Sequence, residues 1–366
     1  MQNYLNLLKD IYENGHDHTD RTGAGRRSIF GTQLRFDLSD GTFPLETTRF
    51  ISEKVMIAET LMFIGGHTNK EFLNNHGVKI WDPWAINDQT VVNYVDKLVQ
   101  AGFVKPEAAP FMVENFNPES IGEIGPMYGF LWRNWPTLAQ NIHREAIIRK
   151  VSDLPSDFVS SLTKVYNDLT EEAKKETTLE DFLLIHYYSS VDQLNELVLN
   201  LKNDPFSSRH VVTAFNPEYT PVPGFTPDEN ILIGKGCLMP CHFAFQCFVL
   251  PPKTQDGKLR LSLMWNQRSV DAAVGLPYNI ASYALLLKLL AHCTDMEAHE
   301  LVFSGGDTHL YLPHIETAKE QMNRELLPPP TLWLNPDKKD LFAFTFDDIK
   351  VIGYRHHPKL KYDIFV

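Results

Sequence analysis

The chain has 366 residues and a formal net charge of −12, from 34 Lys and Arg against 46 Asp and Glu. Its 43% hydrophobic and 11% aromatic residues are typical of a folded globular protein and exclude a wholly disordered chain, which would contain few aromatic residues. The acidic balance and the absence of a long basic stripe argue against non-specific nucleic-acid binding, which depends on clustered Lys and Arg.

No apolar run reaches the roughly 18 residues that a membrane span needs, and acidic residues interrupt the apolar ones at the start of the chain. We therefore expect neither a membrane anchor nor a signal peptide. Four cysteines, Cys237, Cys241, Cys247 and Cys293, are too few for a disulfide framework in a chain of this length. These features favour a cytoplasmic protein with free thiols.

In the first part of the chain, hydrophobic periodicity predicts a helix, a loop, a strand and a second helix. The first helix should end near Gly15, and a polar loop follows from His16 to Ser28. Residues Gln33 to Leu38 alternate between polar and apolar, as in a half-buried strand. Residues Lys54 to Ile64 are apolar on almost every side, which predicts a buried helix with one interior acid, Glu59.

Two more polar stretches, Ile86 to Gly122 and Thr137 to Ile185, carry short helical patterns without reactive clusters, and we interpret them as insertions. An amphipathic helix is predicted from Val191 to Leu201, and Pro205 prevents it from continuing.

Later in the chain, Phe243 to Leu250 and Lys258 to Trp265 predict a hairpin around the Asp256-Gly257 turn. Ala281 to Cys293 predicts a long apolar helix. Strands mixed with helices without regular alternation indicate an α+β fold.

Reactive side chains concentrate in four short segments, Met239–His242, Asn266–Asp271, Pro277–Asn279 and Gly305–Tyr311. Each has a purely structural interpretation: a buried cysteine, a solvated turn, a helix cap and an edge strand. A zinc site near Cys241 is disfavoured by its ligand spacing, so we predict no metal. Together the segments supply a thiol, arginines, amides and a His/Tyr pair, which suits a nucleophilic enzyme acting on an anionic substrate.

Six segments resemble the signature segments of the thymidylate synthase family, in the order in which that family carries them: DRTGAG, IWDPWA, GPMYGFLWRNW, MPCHFAFQ, QRSVDAAVGLPYNIASYALL and GGDTHLY. The resemblance implies an α+β fold with a mixed β-sheet covered by helices, and a homodimer packed sheet to sheet. It also implies one catalytic domain over residues 1–366, with insertions at about 86–122 and 137–185. The implied substrates are dUMP and 5,10-methylenetetrahydrofolate, without a metal, a membrane or a nucleic acid.

The resemblance also implies the roles of the main catalytic residues. Cys241 would add to C6 of the uracil ring, and Arg268 would lower the pKa of its thiol. Asn279 would donate to O4 and accept from N3, selecting uracil over cytosine. Glu59 would be an acid that works through ordered water, and Tyr128 would help to remove the C5 proton with that water. Asp271 is also expected among the catalytic residues.

Two sets of binding residues follow from the same resemblance. The substrate-binding residues would be Arg21, Arg209, Gln267, Arg268, Ser269, Asp271, Asn279, His309 and Tyr311. The cofactor-binding residues would be Arg49, Ile80, Trp81, Trp84, Asp271, Gly275, Tyr278 and Val366. Arg209 would reach the phosphate across the dimer, although Ser208 stands where the family usually has a second arginine. The loss of that phosphate contact corresponds to about 1.5–3 kcal/mol.

Two reactions remain open, because they share every step up to an exocyclic methylene on the pyrimidine. A hydride from the folate gives dTMP and dihydrofolate, whereas water gives 5-hydroxymethyl-dUMP and tetrahydrofolate. The retained Trp81, Trp84 and Tyr128 favour hydride transfer by excluding water. The bulky tail Tyr362–Val366 and Leu312-Pro313 depart from the family and favour hydroxymethylation. A catalytically inactive binding protein is the third alternative.

Overall fold

A computed structural model describes residues 1–19, 22–136, 156–167, 174–175, 178–180 and 190–365. The chain forms two compact units, Met1–Trp132 with Leu194–Val366 and Arg133–Gln193. The first predicted insertion belongs to the larger unit. The second falls within the smaller unit, and most of it lies outside the described residues.

Six of the described strands form one sheet, and four others form two small pairs. The strands are β1 (His16–His18), β2 (Arg26–Asp37), β3 (Trp135–Pro136), β4 (Ser190–Val191), β5 (Val211–Thr213), β6 (His242–Leu250), β7 (Arg260–Asp271), β8 (Glu297–Tyr311), β9 (Thr331–Leu334) and β10 (Ile349–Ile352). The order in the large sheet is β1-β2-β8-β7-β6-β5. Strands β7 and β8 are parallel and the other neighbours are antiparallel, which confirms a mixed sheet.

Helices accompany this sheet, as expected for an α+β fold. The described α-helices are α1 (Gln2–Asn14), α2 (Glu53–Gly65), α3 (Glu71–Asn74), α4 (Asp88–Gln100), α5 (Ala109–Glu114), α6 (Gly129–Arg133), α7 (Ser156–Asn167), α8 (Gln193–Asn203), α9 (Pro227–Leu232), α10 (Gly275–Cys293) and α11 (Ile315–Met322). Helix α10 joins the parallel strands β7 and β8 and packs against both of them and against α2. A parallel pair needs such a crossover connection.

Helices α10 and α2 are apolar on almost every side because both are buried. Thirteen residues of α10 and eight of α2 are buried. Among the helices of the described ranges, none is long and apolar enough to cross a membrane.

Most elements predicted from periodicity are confirmed. The first helix is α1, the alternating segment lies in β2, and the predicted hairpin is formed by β6 and β7. The amphipathic helix begins at Gln193 rather than at Val191, because Val191 lies in β4 and pairs with Trp135.

Three structural interpretations of the reactive segments are wrong. The polar run Asn266–Asp271 continues strand β7, since it pairs with β8. Asn279 lies inside α10, whose first residue is Gly275, and is not a cap. Strand β8 is not an edge strand, because it lies between β2 and β7. The reactive segments therefore belong to the interior of the sheet and its crossover helix.

Candidate active site

The proposed nucleophile, Cys241, directly precedes strand β6 and is half-buried. Its backbone N–H donates to the Tyr128 hydroxyl at 3.0 Å, and its carbonyl accepts from the Arg268 backbone N–H at 2.8 Å. Tyr128 has a φ of +32°, which an L-residue rarely adopts and which costs energy. The structure therefore brings the predicted catalytic residues Tyr128 and Arg268 to the backbone of the third, Cys241.

The Arg268 guanidinium also holds the segment before the cysteine. Its Nε donates to Pro240 O at 3.0 Å and its Nη2 to Met239 O at 2.9 Å. Burial raises the pKa of the Cys241 thiol, whereas the Arg268 charge and the Tyr128 hydroxyl lower it. The Arg268 charge thus acts on the thiol pKa in the predicted direction. Burial nevertheless outweighs this charge, so the thiol pKa lies above its usual value.

The interior acid predicted on the second helix, Glu59, lies on α2 and faces the aromatic residues of the site. Burial raises the pKa of Glu59 from 4.5 to about 7. The Trp81 indole N–H donates to Glu59 Oε1 at 2.9 Å and opposes that rise. Trp84 contacts Trp81 edge to face at 5.7 Å. A carboxyl with a pKa of about 7 can both donate and accept a proton when the pH is near 7.

A small cavity of about 20 Å³ lies beside Glu59. A cavity can hold one water molecule when about 10–15 Å³ is open to the centre of that molecule. Ser282 Oγ has no partner among the described residues and suits such a water. The lining residues are Glu59, Thr60, Phe63, Trp132, His242, Asn279, Ser282, Tyr283 and Leu286.

His242 forms part of this cavity, although no role was predicted for it. Its ring stacks on Tyr128 at 4.1 Å, and its Nδ1 lies 2.9 Å from the Tyr283 hydroxyl. Burial lowers the pKa of His242 to about 3, so the ring is neutral at physiological pH. Its position directly after Cys241 was the available sequence signal.

Asn279 projects from the first turns of α10 into the same cavity. Its Oδ1 accepts from Gln267 Nε2 at 3.0 Å, and Gln267 Oε1 accepts from the Trp265 indole at 3.1 Å. Gln267 and Trp265 are both buried. This chain of bonds connects two predicted substrate-binding residues, but no motif in the sequence pointed to Trp265.

Asp271 ends strand β7 and shapes the turn into α10. Its Oδ1 accepts from the backbone N–H groups of Ala273 and Val274 at 2.8 and 3.1 Å. Its Oδ2 lies 3.8 Å from His314 Nδ1. Gly275, a predicted cofactor residue, begins the helix directly after this turn.

Four predicted substrate residues lie along the neighbouring strands β7 and β8. Asp271 pairs with His309 across β7 and β8, and Ser269 pairs with Asp307 two residues earlier. His309 and Tyr311 share one face, and their rings are 5.3 Å apart. These pairings bring Ser269, Asp271, His309 and Tyr311 together at one end of the sheet.

The C-terminal tail lies against this end of the sheet. Phe365 contacts the Tyr311 ring at 4.7 Å, and His314 Nε2 lies 2.8 Å from Asp363 O. Tyr362 donates to Gln321 Oε1 at 2.7 Å. Its ring lies 5.2 Å from the Arg49 guanidinium.

Arg49 is 6% exposed and donates to Ala273 O. It therefore connects the tail to the Asp271 turn and does not face solvent. The Tyr278 hydroxyl reaches the segment after Arg49, where it accepts from the Ser52 backbone N–H at 3.3 Å.

The structure does not bring every predicted residue into the site. Arg209 and Ser208 are exposed, and Ile80 is 36% exposed. Arg21 and Val366 lie outside the described residues. Among the residues that the structure does describe, no group of three or more potential metal ligands occurs.

The sequence was also compared with models of known protein families. The family model described as Thymidylate synthase matches residues 2–366, so the match includes both predicted insertions.

Proposed function

The chain belongs to the thymidylate synthase family, a family of one-carbon transferases, and we propose that it converts dUMP to dTMP by reductive methylation. The proposed one-carbon and hydride donor is 5,10-methylenetetrahydrofolate. We further propose a single catalytic domain over residues 1–366 that acts as a sheet-to-sheet homodimer in the cytoplasm.

The observation that carries this proposal is the aromatic enclosure of Glu59. Trp81 donates to its carboxyl at 2.9 Å, and the Tyr128 ring lies 6.2 Å from Trp81. The tail adds Phe365 over Tyr311. Methylation and hydroxymethylation differ only in whether hydride or water reaches the methylene intermediate, so an aromatic wall that shields this intermediate from water favours hydride transfer.

Substrate binding would neutralise the nucleotide phosphate and position the base beside the thiol. Arg268, Ser269 and Arg21 supply matching charges and donors, and Arg209 of a partner subunit would complete the set. His309 and Tyr311 would hold the 3′ hydroxyl. Exposure of Arg209 in the single chain supports a role outside its own subunit.

Thiolate addition at C6 moves negative charge onto O4. The Asn279 amide would stabilise that charge and read the adjacent N3. Because burial raises the pKa of Cys241, we propose that nucleotide binding precedes formation of the thiolate. Arg268 would then stabilise the thiolate as well as the phosphate.

Proton transfer at C5 would use Tyr128, Glu59 and a water in the small cavity. A carboxyl pKa of about 7 suits alternate donation and acceptance of a proton. Asp271 would help to order the turn on which substrate and folate meet, through its bonds to Ala273 and Val274.

Folate binding would use Ile80, Trp81, Trp84, Gly275 and Tyr278, and Val366 would close over the cofactor. When bound, the folate supplies the one-carbon unit and the hydride. Arg49 would support the Asp271 turn, since its guanidinium binds Ala273 O.

Hydroxymethylation of dUMP is the second candidate. The cavity of about 20 Å³ beside Glu59 can hold a water near the reacting atoms, and the tail Tyr362–Phe365 differs from the family pattern. This candidate uses the same residues and the same substrates.

Incubation with C5-tritiated dUMP and methylenetetrahydrofolate separates the candidates. Methylation predicts dihydrofolate forming in step with tritium release. Tritium release without dihydrofolate would contradict methylation and support hydroxymethylation, and no tritium release would indicate an inactive binding protein. Cys241→Ser, which should abolish turnover but retain dUMP binding, is the control for chemistry at this site.

A further inference from the structure

Trp265 lies behind the proposed base-recognition residues and does not reach the cavity itself. Its side chain is completely buried on β7, stacked on Tyr283 at 5.0 Å with an interplanar angle of 9°. Phe303 covers it at 5.1 Å. The packing therefore fixes the direction of its indole N–H.

That N–H fixes the orientation of Gln267. An indole nitrogen can only donate, so the side-chain atom of Gln267 that faces it at 3.1 Å must be the carbonyl oxygen. The Gln267 amide nitrogen then donates to Ser269 O at 3.4 Å and to Asn279 Oδ1 at 3.0 Å. If the Gln267 amide were flipped, its N–H group would face the Trp265 N–H, and its oxygen would face the two acceptors Ser269 O and Asn279 Oδ1. All three hydrogen bonds would then be lost.

Gln267 in turn fixes the orientation of the Asn279 side-chain amide. Since Gln267 presents an N–H, the Asn279 atom that faces it must be the oxygen, and the Asn279 amide nitrogen points elsewhere. A uracil base offers an acceptor at O4 and a donor at N3, whereas cytosine offers a donor at N4 and an acceptor at N3. The same Asn279 amide can satisfy only one of these patterns in one orientation.

We propose that Trp265 is a specificity-determining positioning residue, which presets the Asn279 amide for uracil and against cytosine through Gln267. This inference rests on the proposed function of the site in binding dUMP. Trp265 does not line the cavity, so it acts only through the polarity of the two amides.

The test compares dUMP and dCMP binding to the full-length protein by calorimetry, together with the kcat/KM ratio for the two nucleotides. Trp265→Phe keeps an aromatic ring against Tyr283 but removes the donor. We expect the preference for dUMP over dCMP to fall at least tenfold, because both amides can then flip. Phe303→Leu is the matched control: it removes packing volume beside Trp265 and should leave the preference unchanged.

Gln267→Leu tests the same relay, that is, the hydrogen bonds from Trp265 to Gln267 and from Gln267 to Asn279. It serves if Trp265→Phe does not fold, and it should also lower the preference for dUMP over dCMP at least tenfold. In the Gln267→Leu background, Trp265→Phe should cause no further loss of preference. An unchanged preference in folded Trp265→Phe, or an equal loss in Phe303→Leu, would overturn the inference.

The proposed reaction can fail separately from this inference. A wild-type protein that prefers dUMP but does not methylate it would contradict the proposed function and leave the relay intact. A wild-type protein without any preference for dUMP over dCMP would overturn the relay itself.

Discussion

Replacing the half-buried acid Glu59 with glutamine should change stability in a pH-dependent way. The folded protein raises the pKa of this carboxyl from 4.5 to about 7, which corresponds to about 3 kcal/mol of preference for the neutral form. Ionisation of this carboxyl therefore destabilises the folded protein. This penalty is absent below pH 4.5, grows as the pH rises, and is complete above pH 7. Glu59→Gln removes it and keeps an acceptor for the Trp81 indole.

We therefore expect Glu59→Gln to be more stable than the wild type by about 3 kcal/mol at pH 8 and by about 1 kcal/mol or less at pH 5. The difference between the two pH values is the diagnostic quantity, because any pH-independent packing cost of the amide cancels. For a chain of 366 residues, a change of about 3 kcal/mol corresponds to a Tm shift of roughly 4 °C.

Calorimetry of both proteins from pH 5 to pH 8 measures this difference. Glu107→Gln, which removes the same charge from an exposed position, should follow the wild type at every pH. If the Tm difference between Glu59→Gln and the wild type does not grow with pH, Glu59 is not held neutral by burial. The same variant should lower kcat by about 10²–10⁴-fold and still bind dUMP.

Three further predictions concern the nucleotide site. Asn279→Asp should shift binding toward dCMP, measured as the ratio of dissociation constants; an unchanged ratio would remove Asn279 as the base selector. Arg268→Gln should slow alkylation of Cys241 by iodoacetamide severalfold at pH 8, because the guanidinium lowers the thiol pKa; Arg268→Lys should lie nearer the wild type, and equal rates in all three would refute this electrostatic role. Ser208→Arg should tighten dUMP binding at low salt by roughly tenfold or more, as expected for one added charged contact; unchanged affinity would mean that another cation already supplies it.

The fold was predictable where a segment has one clear periodicity. Helix α1 follows from apolar residues at helical spacing, α2 from a continuous apolar run, and the β6–β7 hairpin from two apolar or alternating runs around an Asp-Gly turn. The length of β7 was not predictable, since its last residues are polar and resemble a turn. They remain in the strand because β8 pairs with them from Gln267 to Asp271.

The candidate site was predictable only as a set of residues. The motifs identified Cys241 and Glu59, but the balance between burial and charge that sets their pKa values depends on packing that no local pattern encodes. Trp265 also escaped prediction, because its apolar alternation within the strand gives no sign of its bond to Gln267.

The position of Arg49 was also not predictable from local sequence patterns. A cation at this point of the sequence was expected to meet the folate, but the side chain is buried against Ala273 and Tyr362. Its neighbours come from distant segments of the chain, so only the folded structure reveals them.

The most direct test of the proposed reaction follows the hydrogen atoms of the product. Methylenetetrahydrofolate that carries deuterium at its transferable hydride position is incubated with dUMP and the protein, and the nucleotide product is analysed by mass spectrometry. Methylation predicts dTMP with one deuterium in its methyl group. A hydroxymethyl nucleotide without deuterium, carrying ¹⁸O when the reaction is run in labelled water, would contradict the account.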